Sequence, residues 1–161
     1  MKQLMAIVTM AAFSTLAHSE TVPVKQARQR GIEQCLPVVE KAANFLVEEL
    51  DHTSLATWNS HEPDKRLFNA QVGVRYSDGN SVAVLNVAPT SSGKCDASYT
   101  TVFAMPDKSC AVLRETTFKA WKFHSESVGM IVLQNESGTL QKILLPSGPG
   151  CVAVTTEVFY Q

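Results

Sequence analysis

The chain has 161 residues with 14 basic and 15 acidic side chains, which gives a formal net charge of −1 at pH 7. This balance argues against nucleic-acid binding, because a surface that reads phosphates usually carries clustered Lys and Arg. The densest basic cluster, over residues 25–30, is typical of a solvated helix face. The length favours one domain with enough chain to bury a core.

The N-terminus has the pattern of a bacterial export signal. An apolar stretch runs from Leu4 to Leu16 after a single lysine, and residues 17–19 form a small-residue cleavage site. The stretch is shorter than the roughly 20 residues that span a membrane, and the first cysteine, Cys35, lies too far along the chain for lipid attachment. We therefore predict a signal peptide over residues 1–19, one α+β domain over residues 20–161, no stable membrane insertion, and a periplasmic or secreted location.

Four cysteines, an even number in an exported chain, predict two disulfides. They are Cys35, Cys95, Cys110 and Cys151, and none forms the C-x-x-C spacing of zinc or redox sites. Four cysteines allow three pairings. We expect Cys35 to pair with Cys151 and Cys95 with Cys110, because the first bond would join the two ends of the fold. It would also close a long loop, which the chain-entropy model favours.

Residues 24–51 carry apolar side chains at steps of three and four, which predicts an amphipathic helix with one face to bury. The apolar positions are Ile32, Leu36, Val39, Ala43, Leu46 and Leu50. Pro37 has no backbone N–H and disfavours helical geometry at the residue before it, so we expect either a kink or a helix start there. Cys35 lies beside the apolar stripe and is expected to face the sheet.

A β-hairpin is predicted after this helix. The polar stretch Asp51–Arg66 is expected to be a long loop. Apolar and polar residues then alternate from Phe68 to Tyr76, the period of a half-buried strand. Asp78-Gly79 suits a two-residue type I′ turn. In that register Val74 would face Ala83.

Further strands are predicted over residues 97–104, 129–134, 140–145 and 151–160. Between the first two, Asp107 or Ser109 is suited to cap a short helix that reaches Phe118, and this is preferred to a returning strand from Cys110 to Thr117. The predicted fold class is α+β, with a long N-terminal amphipathic helix packed on a mostly antiparallel sheet of five to seven strands and two disulfides.

The sequence marks out no catalytic residue, and we predict no cofactor or metal. The familiar hydrolase, nucleotide and EF-hand motifs do not occur. One polar cluster holds nitrogen and oxygen ligands, but its histidines are nine residues apart and so are not aligned on a helix; a solvated loop is the preferred interpretation. The cluster comprises Asp51, His52, His61, Glu62 and Asp64.

Four residues are candidates for binding a partner protein. Trp58 is a large aromatic residue in a polar stretch with His61, and such residues often anchor protein partners, although a tryptophan more often packs against its own domain. Pro146 and Pro149 stiffen a glycine-containing turn suited to project into a partner's cleft. The predicted layout is similar to that of several small periplasmic inhibitors and immunity proteins, a likeness of fold alone.

The expected function is therefore that of a non-catalytic protein-binding module of inhibitor or immunity type, whose partner is an unidentified envelope protein. Two alternatives stay open. One is an accessory component of an envelope or secretion assembly, and the other is an enzyme of unfamiliar type whose site is assembled from distant residues.

Overall fold

The computed structural model describes residues 19–77 and 79–161. Apart from Ser19, the predicted signal peptide over residues 1–19 lies outside the described residues.

Two helices occupy the stretch where one long helix was predicted. Helix α1 spans Val22–Gln29 and helix α2 spans Leu36–Val47. Gly31, with φ of +76°, adopts the left-handed conformation that commonly ends a helix. Pro37 lies in the first turn of α2, where a missing N–H costs no hydrogen bond. The single long helix was wrong, and the alternative of a helix that starts at Pro37 is confirmed.

The sheet is fully antiparallel and has eight strands in the order β1-β2-β3-β4-β8-β7-β6-β5. The strands are β1 His52–Thr57, β2 Phe68–Tyr76, β3 Gly79–Pro89, β4 Cys95–Met105, β5 Lys122–Ser127, β6 Met130–Gln134, β7 Gln141–Ser147 and β8 Gly150–Phe159. The prediction of five to seven strands missed the edge strands β1 and β5. Both edges are polar and carry little of the alternation that marks a half-buried strand.

Strand β1 also corrects the predicted loop over residues 51–66. The rest of that stretch contains a short 3₁₀ helix, Pro63–Lys65. In β1 only Ser54 is buried, so the strand is held by its pairing with β2 and by α1 rather than by an apolar face.

The predicted β2–β3 hairpin forms, but its register is displaced by two residues, and Gly79, predicted to lie in the turn, begins β3 and pairs with Tyr76. Val74 pairs with Ser81 rather than with Ala83, and the pair Phe68 and Val87 is gained. A shift of two keeps every side chain on its own face, so the hydrophobic pattern that excludes a shift of one does not exclude this one.

Helix α3 spans Cys110–Glu115, which confirms the predicted helix and excludes the alternative strand. The Ser109 hydroxyl accepts a hydrogen bond from the Val112 N–H at 3.4 Å. This side-chain cap satisfies one of the N–H groups that the first turn leaves without a helical partner.

Two hydrophobic clusters pack against the sheet. Core 1 joins α1 and α2 to strands β2, β3 and β4, and its buried members include Val39, Val47, Phe68, Val72 and Leu85. Core 2 joins α3 to β6, β7 and β8 through Cys110, Leu113, Leu133, Leu144, Cys151 and Ala153.

Each core contains one disulfide. Cys35, the residue before α2, is bonded to Cys95 in β4, and Cys110 in α3 is bonded to Cys151 in β8. The predicted pairing was therefore wrong. Cys95 begins β4, whereas Cys151 pairs with Met105 where β4 ends. Cys35 and Cys151 thus lie toward opposite ends of the sheet, and the loop-length argument ignored that separation.

Both cores lie on the same face of the sheet. In β4 the core 1 residues are Cys95, Ala97 and Tyr99, all at odd positions. The register pairs Phe103, another odd position, with Ala153 of core 2. Directly paired residues of antiparallel strands point to the same side, so the three described helices cover one face and leave the other uncovered.

Candidate protein-docking face

The uncovered side of the sheet, called the open face below, consists of the strand residues that alternate with the core positions. In the six strands between the two edge strands it comprises Asn69, Gln71, Gly73 and Arg75 of β2; Asn80, Val82, Val84, Asn86 and Ala88 of β3; Asp96, Ser98, Thr100, Val102 and Ala104 of β4; Val152, Val154, Thr156 and Val158 of β8; Gln141, Ile143, Leu145 and Ser147 of β7; and Met130, Val132 and Gln134 of β6. A sheet with one solvated face ordinarily places polar residues there. This face departs from that pattern.

A continuous row of branched apolar side chains crosses five adjacent strands of the open face. Each member is directly paired with the next, in the order Val82, Val102, Val154, Ile143, Val132. Val82 at one end is 48% exposed, and the other four are half-buried by their neighbours. We call this the apolar row. Leu145, 42% exposed, lies one step above it on β7.

The polar side chains beside the row are hydrogen-bonded to one another along the sheet. The Asn69 amide donates to Asn86 Oδ1 at 2.8 Å, and the Asn86 amide donates to Ser98 Oγ at 3.5 Å. The Thr100 and Thr156 hydroxyls are 2.8 Å apart. Covering a polar group costs most when it loses all its partners, so these groups can be covered while they keep theirs.

The middle of the open face carries no charge among the described strand residues. The strand register places three charged residues on the open face, and each lies within two positions of a strand end: Arg75, Asp96 and Lys122. Arg75 is paired with Asp51 at 3.1 Å. Depletion of charge from the centre of a surface is the compositional mark of an interface core.

Two shallow depressions, each of about 280 Å³, lie along the row. The first is beside Val82, at Gly73, where an added Cβ would lie 3.2 Å from Thr53 Cγ2. The second is lined by Ile143, Val154 and Thr156, with Thr139 and Gln141. The open face therefore has recesses of side-chain size beside its apolar centre.

The structure does not bring the four sequence-predicted docking residues together. Trp58 is half-buried against core 1, and the Arg30 guanidinium covers its ring at 4.3 Å from the centroid. His61 is exposed, and its backbone N–H donates to Asn59 Oδ1 at 3.0 Å. Both follow the end of β1 at Thr57, which pairs with Asn69 near the start of β2.

Pro146 and Pro149 lie at the opposite end of the sheet. Both are exposed. Pro146 belongs to β7 and pairs with Cys151, beside Met105 at the end of β4. Pro149 lies in the short turn between Ser147 and Gly150. Pro146 and Pro149 thus cannot form one continuous surface with Trp58 and His61.

His52, considered as a metal ligand from sequence, has both ring nitrogens engaged by backbone groups. Nε2 accepts from the Val22 N–H at 3.1 Å, and Nδ1 donates to the Leu50 carbonyl at 2.7 Å. The ring therefore connects the start of α1 to β1. Within residues 19–77 and 79–161, no three His, Cys, Asp or Glu side chains cluster so as to hold a metal ion.

Lys142 and Tyr99 make polar or cation–π contacts on the helix-covered face. Lys142 Nζ lies 4.8 Å from the Phe118 ring centroid and 4.7 Å from that of Trp121, and burial lowers its pKa. The Tyr99 hydroxyl donates to Glu157, and burial followed by that contact raises the pKa of Tyr99. Tyr99 belongs to core 1, whereas Phe118 and Trp121 pack against core 2.

One sequence signal was available for the open face. β3 and β8 carry apolar residues at successive positions of both parities, as in residues 82–85 and 152–154. Such runs are typical of strands with two buried faces. The hairpin prediction considered only the apolar residues on one face of the strand and not those at the alternate positions.

None of the described helices is both long and apolar enough to cross a membrane. Comparison of the chain with protein-family models, curated proteins and solved structures finds no match.

Proposed function

We propose that this chain is a non-catalytic protein-binding module of inhibitor or immunity type, exported to the periplasm or beyond, which docks through the open face. The observation that carries the proposal is the apolar row, which crosses five strands on the side of the sheet that no described helix covers. The proposed docking residues thus replace Trp58, His61, Pro146 and Pro149.

Three properties of the open face support docking of a protein. The apolar row offers surface whose burial is favourable, by about 25 cal/mol per Å². The flanking Asn and Thr side chains are already hydrogen-bonded to one another, so a bound partner would leave few hydrogen-bond donors or acceptors unsatisfied. The uncharged centre avoids the cost of burying an ion without a counter-ion.

The proposed compartment is consistent with the covalent structure. Two disulfides, Cys35–Cys95 and Cys110–Cys151, account for all four cysteines of the chain. Disulfides that stabilise a fold persist in oxidising compartments. The predicted signal over residues 1–19 supplies the route.

A matched pair of valines tests the proposal. Val82 on the open face and Val112 on α3 are both 48% exposed. Glutamate at either position adds one charge, and at Val112 it completes a capping box with Ser109. We expect Val82→Glu to dissociate the complexes that the protein forms in its own envelope, and Val112→Glu to leave them intact.

The measurement is native gel electrophoresis of envelope extracts, with circular dichroism to establish that both variants fold. A wild-type protein that migrates only as a free monomer contradicts the proposal. The same conclusion follows if the two glutamate variants behave alike.

A further inference from the structure

We infer that the occupant of the open face is a second copy of this chain, packed sheet against sheet. This inference rests on the proposed function, because it names the partner of the same surface. The apolar row has five members and Val154 is the third, so a two-fold axis that lies in the interface plane beside Val154 places the row of one copy against the row of the other, with Val82 opposite Val132. Most soluble homodimers use this self-complementary type of contact.

The size of the open face matches what a stable dimer needs. Eight strands at a spacing of about 4.8 Å, which average about eight residues in length at a rise of about 3.3 Å, present a face of about 1,000 Å². A standard protein interface buries about 800 Å² on each partner. The open face alone therefore suffices, provided that most of it is covered.

Its chemistry favours a copy over a charged or aromatic partner. The described central-strand positions of the open face carry valine, isoleucine, threonine, asparagine and serine in the middle and no aromatic side chain. Facing sheets pack about 10 Å apart when such side chains interdigitate. A strongly charged partner would find no complementary charge at the apolar row. The open face of a second copy is itself uncharged at its centre and so matches it.

The sheet edges are protected against pairing, so two copies of the sheet are expected to associate face to face rather than edge to edge. At one edge, the Gln26 side-chain amide of α1 donates to the Ser54 carbonyl of β1 at 3.0 Å. At the other edge, β5 carries Lys122 and Glu126 and an irregular register between Phe123 and Ser125. Charges and bulges on an edge strand are devices that prevent edge-to-edge association.

Sedimentation equilibrium of the purified, exported and disulfide-bonded protein tests the inference. We expect wild type to show twice the monomer mass over a concentration series. Val154→Lys should weaken self-association by about a hundredfold, because a two-fold contact buries the new charge twice. Val112→Lys, on the helix side, should leave the dimer unchanged.

Val154→Thr keeps the side-chain shape and replaces the lysine variant in this test if that variant does not fold. We expect it to weaken the dimer by about tenfold. A wild-type protein that is monomeric throughout the series overturns the inference, as does a dimer that Val112→Lys weakens and Val154 substitutions do not. A monomer that still loses its envelope complexes through Val82→Glu refutes only the second copy. Equal behaviour of Val82→Glu and Val112→Glu refutes the docking face itself.

Discussion

Gly150 occupies a position where the backbone of another strand approaches too closely for any side chain. A Cβ added there would lie 2.6 Å from the Met105 carbonyl oxygen and 2.7 Å from Pro106 Cα. Because these are backbone atoms, the strands themselves would have to move. Glycine is therefore required beside the Cys110–Cys151 disulfide, for a steric reason rather than a conformational one.

Gly150→Ala should destabilise the protein by about 2 kcal/mol, the typical cost of forcing extra volume into a packed site. Urea unfolding followed by circular dichroism measures the loss. The control is Gly73→Ala on the open face, where the nearest atom is the Thr53 methyl group at 3.2 Å. The steric argument fails if Gly150→Ala is as stable as the control.

Val128 is strained without compensation from burial. It sits with φ of +52° in the two-residue turn between β5 and β6, followed by Gly129 at +75°, and its side chain is 92% exposed. Branched side chains are disfavoured in this left-handed region, whereas Asn-Gly is the preferred sequence for such a turn.

Val128→Asn should therefore stabilise the protein by about 1 kcal/mol. Thermal unfolding of the two proteins under identical conditions provides the comparison. An unchanged or lower midpoint for the asparagine variant contradicts the interpretation of this turn.

At the scale of elements, each helical layer is attached to the sheet by its own disulfide. The Cys35–Cys95 and Cys110–Cys151 bonds span 60 and 41 residues. In the chain-entropy model, loops of this size contribute about 4 kcal/mol each. The two bonds should act separately, because they belong to different cores.

Replacing Cys110 and Cys151 by serine should cost about 4 kcal/mol and expose mainly the amides of α3, β6 and β7 to hydrogen exchange. The matched variant lacking Cys35 and Cys95 should instead expose α1 and α2. Non-reducing peptide mapping of wild type provides the covalent check. Recovery of a peptide that links Cys35 to Cys151 contradicts the structure.

Local signals predicted elements well and pairings poorly. Ser109 marked the start of α3, and the alternation after Phe68 marked β2, because both signals depend on neighbours in sequence. Strand β1 escaped prediction because its partner contacts, not its own pattern, hold it in the sheet. The cysteine pairing was not predicted because it depends on the end of β4 at which each cysteine lies, and the sequence alone does not give this position.

At the scale of the whole molecule, the three helices lie on one side of an eight-stranded sheet. That arrangement leaves the other side of the sheet open. The residues of this open face come from several strands, so no single segment of the sequence reveals the face. Trp58 was a candidate anchor from sequence, with packing against its own domain as the preferred alternative, and it packs on core 1 beneath Arg30. The apolar row becomes visible only when five strands are placed in register.

The most direct test of the docking face places a photo-crosslinking amino acid at Val154, the centre of the apolar row, and at Val112 as the control on the helix side. After illumination of intact producing cells, we expect a protein adduct from position 154 and none from position 112, with a mass of two chains if the partner is a second copy. Adducts from both positions alike, or from position 112 alone, would show that the open face is not the docking surface.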